Sequence, residues 1–473
     1  MIVNFSLMSL LILVAHLVRS RVRVLQEYYV PSPMIAGFAA LIGGSRGLRL
    51  LPFEDSDPGA KTLESYPTML VALLFATLLL GARPVRPAWR RTLSQVGDTF
   101  FYNLASELGQ YGLALLFGLF VLAPCFPGLP RAFPLMLPAA FAGGPGTATA
   151  HAAGLAPFGW DEALSVGLTL AMGGLLVGNV GGMVLVNFAV RNGWTRLVRS
   201  TNAAPEIQRR GFVPEDQQLS LGRETIDPMA LDALTWHLAL ALGAVGLAHL
   251  LRESVKSAWP GAYEVPLFVV ALFAGAALQA ALNAAGAGRF VDRRVMTRIG
   301  SVAADYVMAF GIASIRPTVV QAYALPILLM IVFGTVYSIA LLWLIGRRAY
   351  HNFWFERSLF VYGWNTGVIG TGVALLRVID PRLRTGTLED YGLAYALIAG
   401  VDVALMVFLP PLVGSGSILA PALVLTGAAV LCVALSACLV GWFPSSPIVL
   451  RAGEREVIDE AGAAAIESTS QPA

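Results

Sequence analysis

Two glycine-rich stretches interrupt long apolar segments at matching places in the two halves of the chain: residues 142–149, AGGPGTAT, and residues 363–372, GWNTGVIGTG. Neither can continue as an ordinary membrane helix. Glycine and proline free backbone amides and carbonyls that lipid cannot satisfy, so such backbone is tolerated at membrane depth only where protein buries it or water and solute reach it. Broken segments in corresponding positions of two halves are the sequence pointer to a transport site.

A bilayer is the solvent that the remaining composition requires. Of 473 residues, 56% are hydrophobic and 13% charged, with a mean hydropathy of +0.70, more apolar than a soluble core needs. Apolar runs fall at 2–18, 33–51, 67–82, 96–124, 162–190, 229–251, 264–286, 300–315, 322–345, 390–411 and 416–442, giving about 11 transmembrane helices. The expectation is a multi-pass, all-α integral protein of the cell (inner) membrane. The first run lacks a positive leader and is followed by Arg19, Arg21 and Arg23, so it reads as a span rather than a cleaved signal. A net charge of +3, with the basic residues in short loops, argues against a nucleic-acid partner. Cys125, Cys432 and Cys438 lack metal-ligand spacing and are expected as buried apolar residues, with no transition metal and no cofactor.

Arginines set the sidedness. Clusters follow the first span, the third (Arg83, Arg86, Arg90, Arg91), the 162–190 span (Arg191, Arg196, Arg199), the 264–286 span (Arg289, Arg293, Arg294, Arg298) and the 322–345 span (Arg347, Arg348), and all belong in the cytoplasm. Segment 133–155 then begins and ends outside, whereas segment 355–378 dips in from the cytoplasm. Two re-entrant hairpins from opposite faces are what an inverted 5+5 repeat produces.

The repeat is visible directly. Val30-Pro31 opens the second span and Val265-Pro266 opens its counterpart 235 residues later; Gly81 to Pro84 and Ser314 to Pro317 end the third span of each half at an offset of 233. The expected organisation is a first repeat over 1–190, a polar cytoplasmic linker over 191–228 that includes Glu206, Arg209, Arg210, Glu215 and Asp216, and an inverted repeat over 229–412. An additional span over 413–442 and a disordered tail over 443–473 follow.

These motifs together resemble the sodium:glutamate symporter family. The matching pieces are YVPSPMIAG at 29–37, GGPGT at 143–147 in the first hairpin, and Gly367 to Gly372 in the second, with the order of spans extending the resemblance over residues 1–412. It implies a sodium-coupled secondary transporter of an anionic amino acid such as glutamate, or of a related carboxylate, working as a homodimer by an elevator-like movement. Pro145 stands where the family commonly has histidine, and Trp364, Asn365 and Thr366 precede Gly367 where the family is richer in glycine.

Hairpin tips offer free amides and small hydroxyls, and helix amino-terminal ends favour a carboxylate. The candidate substrate-binding residues are therefore Gly144, Gly146 and Thr147 in the first tip and Asn365, Thr366 and Gly367 in the second. Ionisable groups inside spans cost ~2.5 to 3.5 kcal/mol and need a reason. Glu107 with Gln110, Asp305, and Asp402 are such groups, suited as oxygen ligands for Na+ or as carriers of H+. Matching Gly144 to Gly367 aligns Asn179 with Asp402, and the resemblance also carries an aspartate in the Asp402 span. His151 closes the first hairpin and is a further candidate at its mouth. The rival readings are a proton-coupled or uncoupled organic-anion carrier or exporter, and a membrane receptor. An enzyme is disfavoured because no phosphate-binding loop, His-Glu-x-x-His or nucleophile with a nearby histidine occurs.

Overall fold

The computed structural model describes residues 2–442 apart from 29, 46, 54–61, 83–88, 196, 198–211, 214, 216–217, 219, 259–264 and 381–382. Tyr29, Arg83, Pro84, Arg86, Arg196, Arg199, Glu206, Arg209, Arg210, Asp216 and the tail over 443–473 lie outside the described residues. The described residues are helical, without a strand.

The first half runs α1 (Ile2–Arg21), α2 (Ser32–Gly43), α3 (Thr62–Leu79) and α4 (Trp89–Phe117, continuing to Cys125). A hairpin of α5 (Met136–Phe141) and α6 (Gly144–Leu155) comes next, then α7 (Ala163–Leu176, continuing to Arg191). The second half repeats the order with α8 (Ala233–Ala258), α9 (Leu267–Ala284), α10 (Arg293–Ala313) and α11 (Ala324–Ala340, continuing to Ala349). A hairpin of α12 (Trp354–Thr366) and α13 (Ile369–Ile379) precedes α14 (Thr387–Gly414), and α15 (Leu419–Leu435, continuing to Gly441) ends the described chain.

Nine helices among the described residues are long and apolar enough to cross a membrane. Two expected spans fall short of that length. The 33–51 run stops at Gly43, because Gly44 leaves the helix with ψ −166° while its amide closes on Ala40, and the apolar part of α3, Leu63–Leu79, is also short of a full span. At 1.5 Å per residue, the 12 residues of α2 rise about 18 Å, short of a hydrocarbon core. The 300–315 run is the inner part of a longer helix that begins at Arg293, where the Asp292 side chain caps the Arg294 amide at 2.7 Å.

The echoes in sequence have a structural cause. Pro31 and Pro266 are the N-cap residues of α2 and α9, both extended (ψ 139° and 141°), because a fixed φ and a missing N–H suit the entrance to a helix. The packing pairs follow the same correspondence: α3 lies against α9 as α10 lies against α2, and α1 against α2 as α8 against α9. These six helices form one group. The other comprises α4, α7, α11, α14 and the two hairpins, with α6 against α14 and α13 against the second part of α7. α15 packs along α4, where Gly112 leaves room for the Thr426 backbone: a Cβ there would lie 2.5 Å from the Thr426 nitrogen.

Arginines tie α3 to α10 at both ends. Arg293 donates to the carbonyls of Thr77, Leu78 and Leu80 at 3.1, 2.8 and 2.9 Å, satisfying the carboxy-terminal end of α3. At the opposite end Arg316 grips Glu64 through two bonds of 2.8 and 3.1 Å. Cys432 is buried as expected, but Cys125 and Cys438 are exposed on the protein surface, where apolar helices face outward.

Candidate functional site

The first tip is shaped by Gly144. Gly144 has φ +67°, in the left-handed region that glycine tolerates, and it opens α6 with Pro145 in the first turn, where a missing N–H costs nothing. A Cβ on Gly144 would lie 2.5 Å from Val368 Cγ1 and 3.1 Å from the Gly367 carbonyl, so the two tips touch. In the second hairpin the arms cross as closely: a Cβ on Gly363 would lie 2.6 Å from Gly372 Cα. We expect Gly144→Ala to be strained by about 1 to 2 kcal/mol in φ alone and to push the tips apart, lowering the Tm and substrate uptake together. A wild-type Tm and uptake rate would contradict the tip contact.

A cavity of about 600 Å³ lies beside this contact. It is lined by Gly143 and Thr147 from the first tip, Val368, Ile369 and Gly370 from the second, Glu107 and Tyr111 from α4, and Tyr391, Tyr395 and Asp402 from α14. Asp305 and Arg293 of α10 complete it, with Leu74 and Thr77 of α3. The amino-terminal turns of α6 and α13, which carry free N–H groups and the positive ends of their dipoles, therefore converge on one space.

The structure brings together Glu107, Asp402, Asp305 and Thr147 among the residues singled out in the sequence. The Glu107 and Asp402 carboxyl groups are within reach of each other, and Tyr395 lines the cavity beside Asp402. No donor among the described residues reaches Glu107 Oε2 or Asp402 Oδ1. Two carboxyl groups this close, away from bulk water, require a cation or a shared proton between them. Asp305 faces the same cavity from an exposed position on α10.

The other candidates lie around rather than in the cavity. Gly146 approaches Leu74 of α3, with 3.4 Å left for a Cβ. Thr366 is fully buried, donates to the Tyr362 carbonyl at 2.7 Å and abuts Gly174 and Gly178 of α7. Gly367 packs on Leu175, and Asn179 is buried in the adjoining wide turn of α7, behind the second hairpin. Asn365 turns toward α4, where its carbonyl accepts from Gln110 Nε2 at 3.1 Å. His151 is fully buried one turn below the first tip, bonded to the Thr147 carbonyl (2.9 Å) and the Tyr111 hydroxyl (3.3 Å).

Sequence reasoning missed Tyr391 and Tyr395. Their signal was present, because 391, 395, 402 and 406 fall on one face of a helix, so Asp402 predicts two tyrosines beside it. It also missed Arg293 and Trp364, whose places depend on packing across halves.

A second cavity of about 890 Å³ lies on the other side of α6, lined by Thr149, Ala152 and Ala153 of that helix with Glu64, Arg252 and Pro266. The first hairpin is thus the wall between two cavities. Beneath the second hairpin, Arg357 of α12 is buried with Asp390 of α14 at 2.9 Å and reaches Thr99 of α4 at 3.3 Å. The neighbouring His351, outside the spans, is held above its usual pKa by its hydrogen bond to Asp98.

No curated protein matches the chain. Residues 136–353, from the first hairpin to the loop before the second, match the sequence model of the sodium/glutamate symporter family, a family of membrane transporters, and the long apolar helices agree with a multi-pass membrane protein.

Proposed function

We propose that this protein carries an anionic amino acid such as glutamate, or a related carboxylate, together with a coupling cation, sodium first among the candidates. The observation that carries the reading is the single cavity in which two hairpin tips meet a carboxyl pair. The tips present helix amino-termini suited to a carboxylate. The lining also holds Glu107, Asp402 and Asp305 against one arginine, Arg293, which is engaged with α3 carbonyls. An anion can enter so acidic a space only with neutralising cations, which is the physical basis of symport.

In this reading the two hairpins are re-entrant, the halves form an inverted repeat, and the protein works in the inner membrane as a homodimer. The group containing the hairpins and α4, α7, α11 and α14 moves past the group formed by α1–α3 and α8–α10. The substrate cavity reaches the Arg293 end of α10, which the arginine pattern puts on the cytoplasmic side, so the conformation is inward-facing. Arg316 then closes the outer side: besides gripping Glu64, its guanidinium donates to the Asp161 carbonyl (3.3 Å) and its backbone amide donates to Ser165 Oγ (3.2 Å), joining the two groups. The pair is partly exposed, with 32% and 13% of the side chains accessible. Its loss is worth about 1 kcal/mol or less, a population shift of up to about fivefold. Arg316→Gln should accelerate labelling of Ala153→Cys by a membrane-impermeant maleimide, and an unchanged rate would remove Arg316 from the gate.

The decisive test is the thermal stability of the purified protein against amino acids and dicarboxylates, each with sodium and with choline. Stabilisation by one anion only in sodium supports the reading, since a ligand stabilises the state that it binds. Stabilisation independent of sodium would point to proton coupling or export, and no response to any carboxylate would return the protein to the receptor reading.

A further inference from the structure

Several buried polar atoms without partners belong to residues outside the cavity lining, where α4 meets the end of α12. On α4, Asn103, Ser106 and Gln110 follow each other at helical spacing along one face. Both ends of that face reach the end of α12: Trp364 Nε1 donates to Asn103 Oδ1 at 3.0 Å, and Gln110 Nε2 donates to the Asn365 carbonyl at 3.1 Å. Ser106 lies between them, fully buried, with its carbonyl already engaged by the Tyr337 hydroxyl at 2.7 Å. Yet Ser106 Oγ, Gln110 Oε1 and both Oδ1 and Nδ2 of Asn365 find no hydrogen-bond partner among the described residues. Ser106 and Gln110 are 0% exposed and Asn365 1%.

Buried polar groups left without a partner are costly, so a bound species is expected to satisfy their oxygens. Its charge follows from the backbone. The 13-residue α12 ends at Thr366, so its last carbonyls and the negative end of its dipole are directed at this spot. Three side-chain oxygens at a helix carboxy-terminus suit a hard, oxygen-seeking cation.

We propose that Ser106 Oγ, Gln110 Oε1 and Asn365 Oδ1 form a sodium site between α4 and the end of the first arm of the second hairpin, separate from the Glu107–Asp402 pair. This rests on the transporter reading for its purpose: the ion holds the second tip against α4, so that the tip is assembled for substrate only when sodium is bound. It changes the role of Asn365 from substrate ligand to cation ligand.

Linkage tests it without knowledge of the substrate. In the full-length protein in detergent, stability is followed against the logarithm of NaCl concentration at constant ionic strength, with choline and potassium chloride as controls. Each bound ion adds one unit of RT to the limiting slope. The slope should fall by one ion in Asn365→Leu and in Ser106→Ala, a small change that spares folding if the leucine variant does not assemble, and Asn365→Asp should retain it. An unaltered slope in Asn365→Leu and Ser106→Ala, or a wild-type response no greater in sodium than in potassium, would overturn the site and leave its polar atoms to ordered water. Glutamate added to the same samples separates the two readings: a sodium slope without stabilisation by any carboxylate would sink the transport proposal and leave the ion site standing.

Discussion

Replacing Asp402 by asparagine should abolish cation-driven accumulation of substrate while leaving a folded protein. The side chain keeps its shape and one oxygen, but the carboxyl pair with Glu107 loses a charge. A charged group contributes about 1.5–3 kcal/mol to a hydrogen-bonded contact, so cation affinity at the pair should drop roughly ten- to hundredfold. Stability should move the other way or not at all, because the substitution relieves two neighbouring carboxyl groups of their mutual repulsion. This opposite sign distinguishes a binding role from a packing role. Uptake into proteoliposomes and the Tm of the same preparation read both, and an Asp402→Asn variant that accumulates substrate at the wild-type rate would remove the pair from the mechanism.

The largest effect on stability is expected at Arg357. Its guanidinium and the Asp390 carboxylate are 4% and 3% exposed and lie 2.9 Å apart, with further bonds to Thr99 Oγ1 and the Thr385 carbonyl, both 3.3 Å. These contacts join the first arm of the second hairpin to α4 and α14. Arg357→Met leaves the Asp390 carboxylate buried without its arginine, which costs about 3–5 kcal/mol. The double variant Arg357→Met, Asp390→Leu should recover most of that loss, because apolar replacement of both members of a buried pair is often neutral. Thermal unfolding of the two single variants and the double variant measures the coupling. If Arg357→Met alone unfolds at the wild-type temperature, the pair does not anchor the hairpin.

Much of the architecture was legible in the residues because it depends on local properties. Apolar runs report helices and a bilayer, glycines at 143–144 and 367–372 report where helices break, and Pro31 and Pro266 report where α2 and α9 begin. Glu107, Asp305 and Asp402 stood out because a charge in an apolar run carries a cost wherever it is placed. Segment 33–51 misled, because hydropathy records composition and does not register the chain leaving the helix at Gly44.

The sequence by itself therefore determined an all-helical membrane chain with two broken hairpins and a short set of carboxylates that need an explanation. The tertiary structure alone decided that Glu107 meets Asp402 across 295 residues, that Gly144 touches Val368, and that Asn365 turns away from the cavity toward Gln110. Periodicity places a side chain on a face of its own helix, but which face meets which neighbour depends on packing between segments distant in the chain, and small residues such as Gly363 and Gly372 set how closely those segments approach.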